Sequence, residues 1–466
     1  MTTYLKFILL GAAGLVTLSA CTMAPRYERV ALPVPDQFPT AVTAQGQSAE
    51  ALPWRQVFLD PRLQGVIDQA LTNNRDLRVA VLNVERARSQ YRIQRAALFP
   101  AVNGTVSGMR GDTAQINPVT GAPLGTTEAY TANIGASWEL DLFGRVRSLN
   151  QAALQSYFAV AENRKAAEIS LISAVASAWL NLAADQDQLR LSGETLRLRE
   201  ESLTLTQKRF DLGSTDQMTL RQTQVLTEQA RADVATLTAT VQQDKNALRL
   251  LVGADIAPAQ LPDAFPENSI LSDLPVGVPS DILLKRPDVM AAEYNLKAAN
   301  ADIGAARAAF FPSISLTGSV GKASTDLGDL FDGADTWTFS PSISVPIFAG
   351  GANVANLSAS KAGRDIALAQ YEGAIQSAFR DVADQLATRA TIDDRLTAQT
   401  NVVEAATDSN TLAQARFDRG VDSRLTLTDS ERTLYAAQQQ LITTRLVRSL
   451  NLINLYASLG GGYLAE

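Results

Sequence analysis

Four short stretches of this chain alternate apolar and small polar residues with a period of two. In the clearest, Tyr130, Ala132, Ile134, Ala136, Trp138 and Leu140 fall on one face, and Thr131, Asn133, Ser137 and Glu139 on the other. Val102 and Val106 alternate with Asn103, Thr105 and Ser107 in the same way. Ile314, Leu316 and Val320 alternate with Ser313, Ser315, Thr317 and Ser319, and Trp337, Phe339, Ile343, Val345 and Ile347 with Thr338, Ser340, Ser342 and Ser344. The pattern predicts strands over about 101–109, 130–140, 313–321 and 337–347. Runs of this length, apolar on one face and small-polar on the other, suit a barrel in a membrane. A soluble sandwich, with its apolar faces meeting in a core, is the competing arrangement. Pro341 and Pro346 weaken the last strand, because proline removes a ladder donor. The intervening segments 111–129 and 323–336 are polar and rich in Gly, Asp and Thr, like the long external loops of outer-membrane barrels.

The remainder is patterned for helix. From about Arg145 to Arg209 there is no proline and one internal glycine, Gly193. Ile172, Val175, Trp179, Leu182, Leu189 and Leu196 step by three and four, a coiled-coil seam. At 1.5 Å per residue such a helix reaches roughly 100 Å, far beyond globular lengths. A second long helix is expected over 357–417. Shorter helices are expected over about 63–71, 75–98, 215–252 and 287–310. The last two, placed end to end, match one long helix, with the break Pro258, Pro262, Pro266, Pro275 and Pro279 forming a belt of loops between them. No apolar run long enough for a membrane-spanning helix follows the N-terminus.

The chain repeats itself. Arg209-Phe210-Asp211-Leu212-Gly213 returns as Arg416-Phe417-Asp418-Arg419-Gly420, and Ala97-Leu98-Phe99-Pro100 as Ala309-Phe310-Phe311-Pro312. The order is therefore a signal peptide (1–20), an extended Pro-rich strap (21–62), repeat 1 (63–253), a linker (254–280) and repeat 2 (281–466). Each repeat runs helix, two strands, long helix, turn, return helix.

Composition removes most enzyme classes. The chain has no histidine and one cysteine, which excludes Ser-His-Asp chemistry, Cys/His zinc sites and intrachain disulfides. Gly321-Lys322 is no P-loop, because Leu316 and Ala323 stand where Gly and Ser/Thr are required. No catalytic residue, cofactor or metal is expected. A net charge of −7 offers nothing to nucleic acid. Lys6 precedes an apolar run from Phe7 to Ala20, of signal-peptide length. It ends Leu18-Ser19-Ala20-Cys21, which resembles a bacterial lipobox, so Cys21 is expected to carry diacylglycerol and an N-acyl chain. Thr22 in place of Asp favours the outer membrane by the same resemblance.

Four strands cannot close a membrane barrel, and open edges in lipid leave unpaired backbone groups. Two copies would supply about eight strands, whose interior fills with side chains; three would supply about twelve, wide enough for water. The expected fold is an α+β membrane protein: a trimeric 12-stranded outer-membrane β-barrel, four strands per chain, continuing into a long periplasmic α-helical coiled-coil barrel.

Several segments resemble the TolC-like outer-membrane factors, in their lipoprotein, OprM-type branch. They are Asp60-Pro61-Arg62-Leu63-Gln64, Ser137-Trp138-Glu139-Leu140-Asp141-Leu142-Phe143-Gly144-Arg145 and Val278-Pro279-Ser280-Asp281-Ile282-Leu283-Leu284-Lys285-Arg286-Pro287-Asp288-Val289. Ala305-Ala306-Arg307-Ala308-Ala309-Phe310-Phe311-Pro312 and Tyr435-Ala436-Ala437-Gln438-Gln439-Gln440-Leu441 match as well. The resemblance implies the exit duct of a tripartite efflux pump, a homotrimer lipid-anchored in the outer membrane. Its partners would be a periplasmic adaptor and an inner-membrane resistance-nodulation-division transporter. It implies periplasmic tip turns at Gly213 and Gly420, and a gate narrowed by Leu425 and Asp429, where repeat 1 has Met218 and Gln222. Three Asp429 carboxylates converging near an axis would repel one another. Arg416 and Asp418, near Arg419 and Asp422, are candidates for gate-locking ion pairs. A type I protein-secretion duct and a non-conducting coiled-coil lipoprotein are the alternatives.

Overall fold

The structure, a computed structural model, describes residues 22–39, 52–116, 123–266, 270 and 280–462. The elements follow in the order α1 (Trp54–Val57), α2 (Pro61–Asn73), α3 (Arg75–Ala96), β1 (Ala101–Ile116), β2 (Pro123–Leu140), α4 (Arg145–Asp211) and α5 (Gln217–Val252). Then come α6 (Pro287–Ala308), β3 (Ser313–Ser324), β4 (Ala334–Ser344), α7 (Ala352–Asp418) and α8 (Arg424–Ser458). The two long helices, α4 and α7, each have 67 residues and occupy equivalent places in the two repeats. Their return helices have 36 and 35 residues.

Two compact units contain these elements. The first takes in the strap to Ala31, Asn83–Ala161 and Ala291–Tyr371. Its sheet is antiparallel throughout, in the order β1-β2-β3-β4. β2 and β3, from different repeats, pair from Tyr130↔Ser324 to Leu140↔Ile314. Alternation and register agree: Val102↔Ala136, Ile134↔Val320, Ile314↔Ile343 and Val320↔Trp337 carry one apolar face across all four strands. Tyr130 covers Gly108, where an added Cβ would lie 2.7 Å from its ring. The opposite face is knitted by hydroxyl pairs, Ser107–Thr131 at 2.8 Å, Ser315–Ser342 at 2.7 Å and Ser319–Thr338 at 2.8 Å.

The strands differ from the sequence expectation at their ends. β1 runs on to Ile116 and β2 begins at Pro123, so much of the expected loop 111–129 is strand. β3 reaches Ser324, and β4 occupies Ala334–Ser344 rather than 337–347. The cause is visible on the apolar face: Arg110–Glu128 at 3.0 Å and Lys322–Asp335 at 2.9 Å extend the ladders with charged cross-strand pairs. Pro346 falls just beyond the end of β4.

The second unit, Leu32–Leu82, Glu162–Met290 and Glu372–Glu466, holds the larger core. Ile172, Val175, Trp179 and Leu182 of the α4 seam are buried, while Leu189 and Leu196 are half-buried. Trp179 donates from Nε1 to the Gln260 carbonyl at 3.0 Å. Phe58 meets Tyr456 edge-on, ring centres 5.9 Å apart. α2 starts on Asp60, whose carboxylate accepts from the Arg62 amide at 2.8 Å ahead of Pro61. α5 stops at Gly253, φ 72°, where an added Cβ would lie 2.6 Å from the Asn73 carbonyl oxygen. One feature corrects the sequence expectation: α4 contains an 18-residue window apolar enough in composition to span a membrane. Half of that window is buried inside the protein, as expected of a core helix.

Candidate tip gate, strap and apolar sheet face

Both hairpin turns close in the same way. Gly213 (φ 71°) donates to Phe210 O and Ser214 to Arg209 O, each at 2.8 Å. Gly420 (φ 71°) donates to Phe417 O and Val421 to Arg416 O, each at 2.9 Å. These paired bonds satisfy the last carbonyls of each long helix, and the left-handed backbone explains both glycines. The return helices then start on side-chain caps, Asp216 accepting from the Thr219 amide at 2.8 Å and Ser423 from the Thr426 amide at 3.3 Å. The Thr219 backbone bond, helped by its hydroxyl, holds the Asp216 carboxyl below its ordinary range.

The expected ion pair has a different partner. Arg416 meets Asp422 across the turn, at 2.7 and 2.9 Å, and its hydrogen bond holds the Asp422 carboxyl down. Asp418 accepts instead from Gln414 at 2.9 Å, as Asp211 accepts from Gln207 at 2.8 Å in repeat 1. Asp418 therefore has a local role common to both repeats. The pair is particular to repeat 2, because Thr215 stands where Asp422 would. Being exposed, it adds little stability by itself.

Leu425 and Asp429 lie one turn apart on α8 and are both exposed. Leu425, 76% exposed, shares an apolar groove of about 350 Å³ with Met218, Gln222 and Val225. The structure thus brings the repeat-2 gate candidate against its repeat-1 counterparts. Asp429 lines a separate cavity of about 450 Å³ with Arg199, Arg432 and Tyr435.

Behind these residues α8 is tied to α4 by contacts that the sequence analysis missed. Arg199, nearly buried, forms an ion pair with Glu431; Ser192 and Tyr435 share a hydrogen bond of 2.6 Å; Arg424 donates to Ser202. Burial lowers the Arg424 guanidinium, Glu431 opposes this, and Arg199 and Arg209 add to it. The sequence carries no signal for these contacts, because helix period does not reveal which turn of one helix faces which turn of another.

Cys21 lies outside the described residues, but the strap that follows it is held tightly. The Met23 carbonyl accepts from Arg307 at 3.0 Å, and the Pro25 carbonyl from Asn300 at 2.7 Å. Gly304 admits the strap: an added Cβ would lie 2.7 Å from the Ala24 nitrogen and from Ser148 Oγ. Glu293 receives Tyr27 at 2.9 Å, Arg29 at 2.8 Å and Lys297 at 3.1 Å. Burial alone would raise the Glu293 carboxyl, but these donors outweigh it and hold it down.

The sheet presents the third functional surface. Val102, Val106, Ile134, Val320, Trp337, Phe339 and Ile343 are each more than 60% exposed on one continuous face, bounded at one end by the Arg110–Glu128 and Lys322–Asp335 pairs. About ten residues of tilted strand match the apolar band of an outer-membrane barrel, roughly 25 Å tall. β1 and β4 are the two edges of the sheet, one from each repeat.

The outer membrane efflux protein family matches residues 66–254 and 278–461. The toluene efflux pump outer membrane protein TtgC of Pseudomonas putida is 44% identical over 469 residues, covering 99% of this chain and 96% of its own. The antibiotic efflux pump outer membrane protein ArpC, also of Pseudomonas putida, matches to the same extent. Among solved structures, the open state of the Neisseria gonorrhoeae MtrE outer membrane channel is 41% identical with a TM-score of 0.85, over 95% of this chain and 98% of that one. A face built for lipid, two matching helical hairpins and this similarity along nearly the whole length agree: the chain belongs to the outer membrane efflux protein family.

Proposed function

We propose that three copies of this chain form the outer-membrane exit duct of a tripartite efflux pump. The duct passively conducts toxic small molecules of the kind named for its relatives, toluene and antibiotics among them. The observation that carries this reading is the sheet, apolar and exposed on one face, polar on the other, and open at both edges. In lipid those edges must pair. The internal repeat supplies a register for doing so. The seam between repeats pairs Ser137 with Thr317, and their repeat equivalents, Ser344 and Thr105, lie one on each free edge. β4 of one copy would then meet β1 of the next as β2 meets β3 within the chain. Three copies give about twelve strands and a water-filled lumen lined by the serine and threonine face.

Gly213 and Gly420 form the periplasmic tips, where a periplasmic adaptor and, through it, an inner-membrane resistance-nodulation-division transporter engage. Leu425 and Asp429 narrow the tip, and the Arg416–Asp422 pair with the Arg199–Glu431 tie holds the repeat-2 hairpin in its resting position. Cys21 carries the lipid anchor, and the strap docked on α6 fixes where that anchor emerges. Energy comes from the pump partner.

Planar-bilayer conductance of the purified mature protein, with its mass in detergent, tests the proposal. The expected result is a trimer with small conductance that rises in Asp429→Ala. A monomer without conductance would overturn the barrel, and an unchanged conductance in the variant would remove Asp429 from the gate. Cys21→Ala should abolish palmitate labelling; a variant still labelled would refute the anchor.

A further inference from the structure

Asp185 on α4 and Asp244 on α5 face each other across the repeat-1 hairpin, within hydrogen-bonding reach. Neither carboxylate can donate to the other unless one carries a proton. Asp244 Oδ2 is buried, and among the described residues no donor reaches it. A protonated Asp185 would supply the donor that the Asp244 carboxylate otherwise has to do without. The arginines nearest in sequence on the two helices pair elsewhere, Arg190 with Asp187 and Arg249 with Asp255. Burial is the largest influence on the Asp185 carboxyl, and Asp244 adds to it. Repeat 2 is built differently at the equivalent places. Ile392, 2% exposed, replaces Asp185, and Asn451 replaces Asp244, donating from Nδ2 to the Gln385 carbonyl at 2.9 Å.

We propose that Asp185 and Asp244 are a one-proton clasp across the α4–α5 hairpin, closed while they share a proton and loosened when both are ionised. The proton moves between solvent and the Asp185 carboxyl, with no other chemistry. Burial, reinforced by Asp244, pushes the Asp185 carboxyl up to about 6. A carboxyl raised on folding stabilises the fold fully below its unfolded value and loses that contribution as pH rises through its folded value. The clasp is therefore closed in mildly acidic surroundings and opens as pH rises past about 6. Only the repeat-1 hairpin responds, since Ile392 and Asn451 do not titrate. An outer-membrane duct would thereby gain acid-dependent stiffness in one of its two hairpins.

The test is hydrogen–deuterium exchange on the full-length protein in detergent, corrected for the intrinsic pH dependence of exchange, with thermal unfolding at the same pH values. In the wild type, residues 180–190 and 240–250 should exchange more slowly at pH 5 than at pH 7.5, by on the order of tenfold. Asp185→Asn supplies a permanent donor, so it should exchange slowly at both pH values and lose the pH dependence of the unfolding midpoint across this window. Asp244→Asn, with the donor on the other helix, serves the same comparison if Asp185→Asn folds poorly. Infrared spectra at pH 5 should show a protonated carboxyl band that both variants lack. A pH dependence unchanged in the variants, or no such band in the wild type, would overturn the clasp.

Discussion

The sheet and the helical unit use similar side chains in opposite ways. Val106, Ile134, Val320 and Trp337 are between 61% and 75% exposed, whereas Val175, Trp179, Leu182 and Leu248 are withdrawn completely. Residue type does not separate the two groups; period does. Alternation by two places every apolar residue of a strand on one face, and in a single-layer sheet that face has nothing of its own chain to pack against. Steps of three and four turn the apolar stripe of α4 toward neighbouring helices, so its surface is already consumed within the unit. An exposed apolar face of this extent requires a nonaqueous neighbour.

Tryptophan gives the largest test of this contrast. Trp179→Ala should cost about 3–5 kcal/mol, through the cavity and the lost bond to Gln260, read as a lowered unfolding midpoint in detergent. Trp337→Ala should leave that midpoint almost unmoved. A comparable loss at Trp337 would mean that the outward face packs on protein rather than lipid. Next in size, Ile134→Arg should cost about 2–4 kcal/mol on insertion into bilayers, while Asn133→Arg on the lumen face should be tolerated. Equal effects from these neighbours would remove the distinction between the faces. Smallest, Gly213→Ala and Gly420→Ala should each cost about 1–2 kcal/mol by denaturant unfolding, because a Cβ there meets nothing and only the left-handed backbone objects. Unequal costs would show that one hairpin is held by more than its turn.

These contrasts also explain what could be read from residues alone. The strands were legible because Tyr130–Leu140 alternates without error, and the long helices because no proline interrupts them. Gly213 and Gly420 were legible because two copies of one turn motif end in glycine. The strand ends were not. Glu128 and Asp335 fall in the expected loops, Arg110 and Lys322 just past the expected strand ends, and only cross-strand register reveals that they pair. The Arg199–Glu431 tie and the Arg416–Asp422 pair depend on how antiparallel helices are offset and how a turn folds back. The choice of Asp422 over Asp418 is a matter of turn geometry, since all three residues lie within one short segment.

The two free edges of the sheet come from different repeats, β1 from the first and β4 from the second. A joint between copies is therefore head-to-tail, and it closes into a ring only if the rotation per copy divides a full turn. Pore calibre is then quantised by the gene. Each added copy widens the barrel by four strands at once. Halving that step would require splitting the chain at its own repeat, so the two-copy build of the chain also sets the unit in which its aperture grows.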